Sequence, residues 1–304
     1  MTTEVTRADW LARRRMGVGA SEVSAILGVN DYLSCYALWA DKSGLLPILD
    51  LESEAAHFGQ VLEPIVASEY ERRNACAVRD LGRYSLLTNP LYPRLFATLD
   101  REIVDLVRGP GALECKAPGW RQAIHWEEEP PLAYVVQVQA QLAVTGWQWG
   151  VLAAILGGQR FVQYEVARND DLILEIGIAV ADFWRRVEAN DPPPVDGSIS
   201  TASVLKRLYP ADLGTEIVLD DETVGSVQRW KELTATQRQL ESEVRTQRNL
   251  IVSAMGDAAR GRLPTGEVLQ LRLEKRSPEQ CKGCGAEVRP GWESRVPRLL
   301  KARR

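Results

Sequence analysis

The chain contains little cysteine and histidine for its length, with five cysteines and two histidines among 304 residues. So few cysteines do not build a disulfide framework, so we expect a protein of a reducing compartment. No apolar run approaches the roughly 18 residues that a membrane-spanning helix needs. Residues 1–15 also lack the apolar segment of a secretory signal peptide. These absences predict a soluble, cytoplasmic protein that has no membrane partner.

The charge of the chain is nearly balanced, with 37 Lys and Arg against 41 Asp and Glu and a formal net charge of -4. This balance argues against a protein that coats nucleic acid with an overall basic surface. An acidic protein can still bind phosphate through local basic patches. Two such patches are visible, at residues 13–15 and 275–304. The second is either a solvated tail or a DNA contact, and composition alone does not decide between them.

Hydrophobic periodicity and turn signals predict the order of the elements. Helices are expected within 16–28 after a glycine loop, and at 36–42, 52–74, 134–145 and 170–189; strands are expected at 84–87, 95–99, 102–107, 112–116, 149–156 and 160–166. Pro64 predicts a kink or a break in the third of these helices. The alternation of helices and strands indicates an α/β fold with a central mixed β-sheet flanked by helices.

The run of prolines after Asp191 is the clearest boundary, and we divide the chain there into a core at 1–195 and a C-terminal extension at 196–304. The extension is predicted to hold a long helix at 220–257, a short hairpin and the basic tail. Apolar residues of the long helix recur with alternating spacings of three and four, but two of the eight positions are glutamine. We therefore expect it to pack on its own domain or in a helical hairpin, and not to form a free coiled coil.

Two acids and a lysine form the most informative pattern. Asp100 ends one predicted strand, while Glu114 and Lys116 lie two residues apart on another, so their side chains share a face. Mg²⁺ prefers carboxylate, carbonyl and water oxygens, and the carbonyl of Cys115 offers a further ligand. A bound Mg²⁺ would activate a water that Lys116 could position or help to deprotonate. The pattern predicts metal-assisted phosphodiester hydrolysis, and solvated charges on a surface strand are the alternative.

Five segments in a fixed order resemble the YqaJ-type viral recombinase family, relatives of phage lambda exonuclease within the PD-(D/E)XK nuclease superfamily. They are RRMGVGASEVSAILG at 14–28, GQVLEP at 59–64, ATLDREIVD at 97–105, LECKAP at 113–118 and YVVQVQAQLAVTG at 134–146. The resemblance covers about residues 10–189. It implies a PD-(D/E)XK nuclease-like core and a metal-dependent 5′→3′ exonuclease on linear double-stranded DNA. Such an enzyme leaves 3′ overhangs for recombination in a bacterial cell or a phage-infected host.

The resemblance implies metal ligands and a catalytic lysine. Asp100 and Glu114, with the carbonyl of Cys115, match the principal ligands of Mg²⁺, with Mn²⁺ as an alternative. Lys116 matches the catalytic lysine. Glu63 matches a helix acid that serves a second metal ion or its waters.

The resemblance also implies residues that handle the substrate. Gln137 matches a glutamine that orients the attacking water or the lysine, and Tyr134 faces the same way one helical turn earlier. Arg14 and Ser21 match a pair that holds the terminal 5′ phosphate. Ser21 is expected to open a helix, where backbone N–H groups and the helix dipole attract an anion, and Arg14 would add a bidentate positive charge.

The sequence departs from the superfamily pattern in places. Leu99 stands where a proline usually precedes the aspartate, and Arg101 stands where a glycine is frequent. Neither position is a ligand, so we still expect an active enzyme. Cys281 and Cys284 have the spacing of half a zinc site, but no second pair completes it, and we expect an unmetallated turn.

The resemblance further implies DNA ends as the substrate, a homo-oligomer that is a ring-shaped trimer, and a single-strand annealing protein as partner. Two alternatives stay open at this point. One is an endonuclease of the same fold, in which Arg14 and Ser21 would be dispensable. The other is a catalytically inactive DNA-binding protein.

Overall fold

The computed structural model describes residues 6–47, 53–126, 129–210, 214, 216–276, 279–280, 287–289 and 292–300. The chain divides into two compact units, Met1–Leu213 and Gly214–Arg304. The first unit extends beyond the 195/196 boundary drawn at the prolines because the helix Ile199–Leu208 packs against the helix Cys35–Lys42. Among the described residues, no helix is long and apolar enough to cross a membrane.

The first unit contains both helices and strands. Its helices are α1 (Arg7–Arg15), α2 (Val23–Ile26), α3 (Cys35–Lys42), α4 (Glu54–Asn74), α5 (Leu132–Thr145), α6 (Asp170–Ala189) and α7 (Ile199–Leu208). Its strands are β1 (Val18–Gly19), β2 (Ala77–Arg79), β3 (Leu87–Asn89), β4 (Tyr92–Ala97), β5 (Arg101–Val104), β6 (Gly111–Lys116), β7 (Trp149–Leu156) and β8 (Arg160–Ala167). The helices α1 and α7 and the strands β1 and β2 were not expected from the sequence, and β3 was expected at 84–87.

The predicted central mixed sheet is confirmed. Five strands follow the order β2-β5-β6-β7-β8, in which β6 and β7 are parallel and all other neighbours are antiparallel. Parallel neighbours need a crossover connection, and α5 lies in the chain between β6 and β7. A smaller sheet has the order β1-β4-β3.

Helices cover both faces of the central sheet. Val66 and Tyr70 of α4 pack in one apolar cluster with Leu113 of β6 and Val151 of β7. Because side chains alternate between the faces of a strand, Glu114 points to the opposite face. That face is covered by α5, so the candidate site lies between the sheet and α5.

The helix α4 passes through Pro64 without a break, from Glu54 to Asn74. Pro64 removes one backbone donor from the helix. The helix is nevertheless anchored at its N-terminus by Ser53, whose hydroxyl accepts the backbone N–H of Ala56 at 3.1 Å. It is anchored in its second half by the apolar packing on the sheet. Tertiary packing therefore outweighs the local cost of the proline.

The second unit is built from one long helix and short strands. It contains α8 (Asp221–Met255), β9 (Arg260–Arg262), β10 (Val268–Arg276), β11 (Glu279–Gln280), β12 (Glu287–Arg289) and β13 (Trp292–Leu300). The expected hairpin is the pair β9–β10, and the basic tail adds β13 antiparallel to β10. No residue of α8 is buried, and Leu233, Leu240 and Val244 are each more than half exposed. The helix contacts β13 of the same unit, but the packing of its apolar residues within the domain stays a prediction. Cys281 and Cys284 lie outside the described residues.

Gly150 allows α5 to approach the sheet closely. A Cβ atom at this position of β7 would lie 2.8 Å from the Cγ1 atom of Val138 and 2.9 Å from the carbonyl oxygen of Ala112. Both distances are shorter than a van der Waals contact, so a larger residue would push α5 outward. The glycine thus sets the distance between β6 and the residues of α5 that face it.

We expect Gly150→Ala to lower the free energy of unfolding by about 1–3 kcal/mol, since overpacking forces the backbone to shift. Gly59→Ala is the matched control. Gly59 lies inside α4, and a Cβ atom there would meet nothing within 4 Å. The control should therefore stabilise the protein by roughly 0.5–1 kcal/mol. Urea unfolding of both variants measures the difference, and equal stability of the two would contradict the close packing.

Candidate active site

A buried carboxylate with several hydrogen-bond donors lies at the centre of the site. Glu114 of β6 is 2% exposed. Its Oε1 atom accepts hydrogen bonds from Lys116 Nζ at 2.5 Å and from Gln137 Nε2 at 2.6 Å. Its Oε2 atom accepts one from Gln141 Nε2 at 2.6 Å. The strand period of two and the helix spacing of four residues bring these four side chains to one place.

Asp100 lies beside this cluster, immediately before β5. Its Oδ2 atom accepts the backbone N–H of Cys115 at 2.7 Å. The N–H and C=O groups of one strand residue point to the same side in an antiparallel ladder. The carbonyl of Cys115 therefore faces the same side as Asp100. The structure thus brings together the two carboxylates and the carbonyl that the sequence pattern selected.

The carboxylates and the lysine perturb one another. Burial raises the pKa of Asp100 well above its ordinary value, and the charges of Glu114 and Glu63 raise it further, against the opposing effect of Lys116. Burial alone would lower the pKa of Lys116, but the carboxylates of Glu114 and Asp100 outweigh it and raise this pKa. In the metal-free protein Lys116 is therefore an ammonium group at neutral pH. It can position a water or balance charge, whereas the ammonium itself cannot accept a proton.

Lys116 is fixed by residues of α5. Its Nζ atom donates a hydrogen bond to Gln137 Oε1 at 3.2 Å and lies 4.9 Å from the centre of the Tyr134 ring. The Tyr134 ring also lies 5.3 Å from the ring of Trp126. The expectation that Tyr134 and Gln137 face the same way is met in the geometry, since both contact the same ammonium group.

The donor set fits a hard divalent cation. The negative charges of Asp100 and Glu114 oppose each other. Lys116 offsets one of these charges, and a cation would neutralise the other. Within the described part of the chain, no group of three or more His, Cys, Asp or Glu side chains could hold a metal ion. A cation would therefore take two carboxylates, the Cys115 carbonyl and several waters. Mg²⁺ commonly binds in this way.

Glu63 of α4 lies near the site but has a protein partner. Its Oε1 atom accepts a hydrogen bond from Arg101 Nη1 at 2.6 Å. Arg101 also donates to the backbone carbonyl of Asp100, and its guanidinium lies 3.9 Å from Asp80 Oδ2. The role of Glu63 at a second metal ion stays a prediction, while its observed partner is an arginine.

Arg14 and Ser21 lie together in a separate polar cluster. Arg14 Nη2 donates to Glu22 Oε1 at 2.7 Å and lies 3.4 Å from Ser21 Oγ. Lys42 Nζ pairs with the other oxygen of Glu22 at 2.7 Å. Two cations and one carboxylate leave this cluster with a formal charge of +1.

The short helix expected within 16–28 is present as α2, but it does not begin at Ser21. Ser21 lies inside a single 3₁₀ turn, Ala20–Glu22, and the helix α2 that follows has only four residues. A helix this short contributes little dipole, because the effect needs several aligned peptide units. Any anion binding here would therefore depend on side-chain charge, and Arg14 is the side chain that contacts Ser21.

One cavity borders both groups of residues. It has a volume of about 310 Å³, and Ser21 lines it together with Tyr134 and Gln137. Asn30, Tyr32, His125 and Trp126 complete much of the wall. A single space therefore connects the Ser21 side of the cluster to the side chains that hold Lys116.

Gln141 is a residue that the sequence analysis did not select. It is 0% exposed, it binds the second oxygen of Glu114, and its Oε1 atom is buried without a hydrogen-bond partner. Buried amides are rare unless they are satisfied. The available signal was the segment QVQAQ, in which Gln137 and Gln141 are four residues apart and share a helix face.

In the metal-free protein, the contribution of Asp100 to the free energy of unfolding should decrease as the pH rises above about 4, the ordinary pKa of an aspartate. The folded pKa of Asp100 is raised, so the folded state binds more protons than the unfolded state between the two pKa values. Asp100→Asn removes this titration, so the free energy of unfolding of the variant should rise relative to that of the wild type as the pH increases. The exposed Asp171 of α6 supplies the control, Asp171→Asn. Urea unfolding in EDTA measures each profile, and identical profiles for the wild type and Asp100→Asn would disprove the coupling.

Comparison with known proteins places the chain in a family. A model of the YqaJ-like viral recombinase domain matches residues 9–148. The chain is 36% identical over 266 residues to the uncharacterized protein YqaJ of Bacillus subtilis (strain 168), which covers 85% of this chain and 81% of that protein. Its fold is similar to that of the alkaline exonuclease LHK-Exo from Laribacter hongkongensis, which was solved alone and in complex with dAMP. The match has a TM-score of 0.50 and 23% identity, and it covers 67% of this chain and 98% of the exonuclease. The expected family and fold are therefore confirmed, and the chain belongs to the YqaJ-like viral recombinase family.

Proposed function

We propose that this protein is a metal-dependent exonuclease that degrades linear double-stranded DNA in the 5′→3′ direction and leaves 3′ single-stranded overhangs for recombination. The observation that carries the proposal is the shared cavity. Ser21 lines the cavity on the side of the Arg14 cluster, which consists of Arg14, Ser21, Glu22 and Lys42. Tyr134 and Gln137 line it beside the carboxylate–lysine cluster, which consists of Asp100, Glu114 and Lys116. A terminal phosphate at one end would place the following phosphodiester near the other end.

The family and the fold support the same activity. Members of the family are described as viral recombinases, and the similar fold of LHK-Exo is that of an alkaline exonuclease. We infer DNA as the substrate from these descriptions together with the phosphate-binding chemistry of the site. We infer Mg²⁺ as the cofactor, with Mn²⁺ as an alternative, from the oxygen ligands alone.

The residues of the chain divide the chemical work. When bound by Asp100, Glu114 and the Cys115 carbonyl, Mg²⁺ would polarise the scissile phosphate and lower the pKa of a water. Lys116 holds a positive charge where negative charge develops on the phosphate, and such preorganised charge lowers the barrier. Gln137 hydrogen-bonds to both Lys116 and Glu114, so it fixes the position of the ammonium relative to the carboxylate.

The Arg14 cluster would select DNA ends. A guanidinium binds a phosphate with two hydrogen bonds, and the Ser21 hydroxyl can add another. Glu22 and Lys42 hold Arg14 in place through the ion pair and through the hydrogen bond from Lys42 Nζ to the Arg14 carbonyl at 3.0 Å. Contacts of this kind read no base, so the enzyme would act on ends of any sequence.

The assembly and the partners rest on family resemblance. We propose a homo-oligomer, with a ring-shaped trimer favoured, and a single-strand annealing protein that receives the 3′ overhang. We also propose the cytoplasm of a bacterial cell or phage-infected host as the place of action. Light scattering of the full chain measures the oligomer directly, and a monomeric mass would refute the trimer.

Linear duplexes labelled at either the 5′ or the 3′ end test the proposed polarity. The 5′ label should be released first as mononucleotide, and EDTA should stop the reaction. We expect Lys116→Ala to reduce the rate on the order of 100-fold or more, because it removes charge stabilisation at the phosphate. Lys206→Ala on the surface of α7 is the control and should leave the rate unchanged. Early release of the 3′ label would contradict the polarity.

The role of Arg14 is tested by comparing duplex ends that carry a 5′ phosphate with ends that carry a 5′ hydroxyl. Arg14→Ala should lower the rate on phosphorylated ends towards the rate on hydroxyl ends, whereas Arg13→Ala, an exposed neighbour, should keep the preference. Equal cutting of closed circular DNA by the wild type would indicate an endonuclease instead. DNA binding without any cleavage would indicate an inactive DNA-binding protein.

A further inference from the structure

We propose that Arg101 supplies the second positive charge of the active site, that Glu63 anchors this arginine, and that the site therefore holds a single divalent cation. The inference rests on the proposed function. It differs from the expectation drawn from family resemblance, in which Glu63 serves a second metal ion.

The contacts of Arg101 hold its guanidinium beside the metal ligands. Arg101 begins β5 and directly follows Asp100 in the chain. The same Nη1 atom donates to Glu63 Oε1 at 2.6 Å and to the backbone carbonyl of Asp100. Through this one nitrogen, the guanidinium links α4 to the start of β5 and lies next to Asp100.

Burial makes this ion pair hard to replace. The side chain of Arg101 is 13% exposed and that of Glu63 is 28% exposed. Removing one partner of a pair that is largely shielded from water leaves an uncompensated charge, which is strongly destabilising. For Glu63 to bind a metal ion directly, its carboxylate would have to give up part of its contact with the arginine. The structure therefore favours Glu63 as an anchor for Arg101.

Formal charge favours one cation over two. Four carboxylates contribute negative charge and three side chains contribute positive charge, which leaves a net charge of -1: Glu63, Asp80, Asp100 and Glu114 against Arg83, Arg101 and Lys116. One divalent cation changes this to +1, which a phosphodiester of charge -1 neutralises. With a second divalent cation, the site and its bound phosphodiester would keep a net charge of +2, although the site is largely buried. Unbalanced charge is costly where water is excluded.

Arg101 can also reach a ligand. It lines a cavity of about 230 Å³ together with Asp100, Glu63 and Arg83. A guanidinium has five N–H donors in a planar fork, and the two described bonds from Nη1 use only part of them. The remaining donors are available to a phosphate oxygen in the cavity that Arg101 shares with Asp100. Arg101 would then take the charge-balancing place of a second ion.

Counting bound Mn²⁺ on the full chain without DNA tests the inference. The loss of the free Mn²⁺ signal in electron paramagnetic resonance gives the number of ions per chain at saturation. We expect one ion for the wild type and two for Arg101→Gly, because the substitution frees Glu63 and the opposite side of Asp100. Arg83→Gly removes an arginine from the same cavity and is the matched control, with one ion expected. Two ions on the wild type, or one on a folded Arg101→Gly, would overturn the inference.

A second variant covers the case in which Arg101→Gly does not fold. Glu63→Gln should bind one ion, the same number as the wild type. If Glu63 instead held a second ion in the wild type, the substitution would lower the count from two to one. Asp100→Asn separates this inference from the proposed function, since it should abolish the binding of the single ion. A wild type that binds no Mn²⁺, or whose binding is unaffected by Asp100→Asn, would refute the metal-dependent nuclease itself.

Discussion

The structure depends on the burial of one carboxylate, that of Glu114, next to a second one. Burying a charge is expensive unless it is paired and hydrogen-bonded. Here Lys116, Gln137 and Gln141 donate to the Glu114 carboxylate, so both of its oxygens are bound. These donors come from β6 itself and from α5, and they reach Glu114 only because the helix lies close to the sheet. The packing of the core and the geometry of the candidate site are therefore parts of the same arrangement.

The second carboxylate explains why a cation is needed. Asp100 is held by the N–H of Cys115, yet its pKa is raised because burial and the nearby acids disfavour its charge. The partly buried Asp100 and the buried Glu114 share one adjacent lysine, so this pair of acids is electrostatically unbalanced, and a divalent cation would correct the imbalance. The ion pair between Arg101 and Glu63 then limits how much further positive charge the site can accept. Metal binding, substrate charge and the stability of the fold are in this way coupled through a few side chains.

Local sequence patterns predicted the parts of the site that depend on strand and helix periodicity. The spacing of Glu114 and Lys116 placed both on one face of β6, and the period of α5 placed Tyr134 on the same side as Gln137. The role of Gln137 next to Lys116 came from the family resemblance. Contacts between distant segments could not be read in this way. The pairing of Arg101 with Glu63 joins residues 38 positions apart. The tail strand β13 likewise pairs with β10, a contact between distant segments, and its composition resembles that of a solvated segment. Ser21 was expected to open the short helix, because Gly19 before it and the apolar residues after it resemble a helix start, but Ser21 lies in a 3₁₀ turn ahead of α2.

The central claim is that Asp100, Glu114 and the Cys115 carbonyl together hold a divalent cation. Anomalous diffraction from crystals of the full chain grown with Mn²⁺ tests this claim most directly. The account predicts one peak per chain, within coordination distance of an oxygen from each of these three residues. A Mn²⁺ ion bound elsewhere on the chain, with these three oxygens left uncoordinated at saturating Mn²⁺, would contradict it.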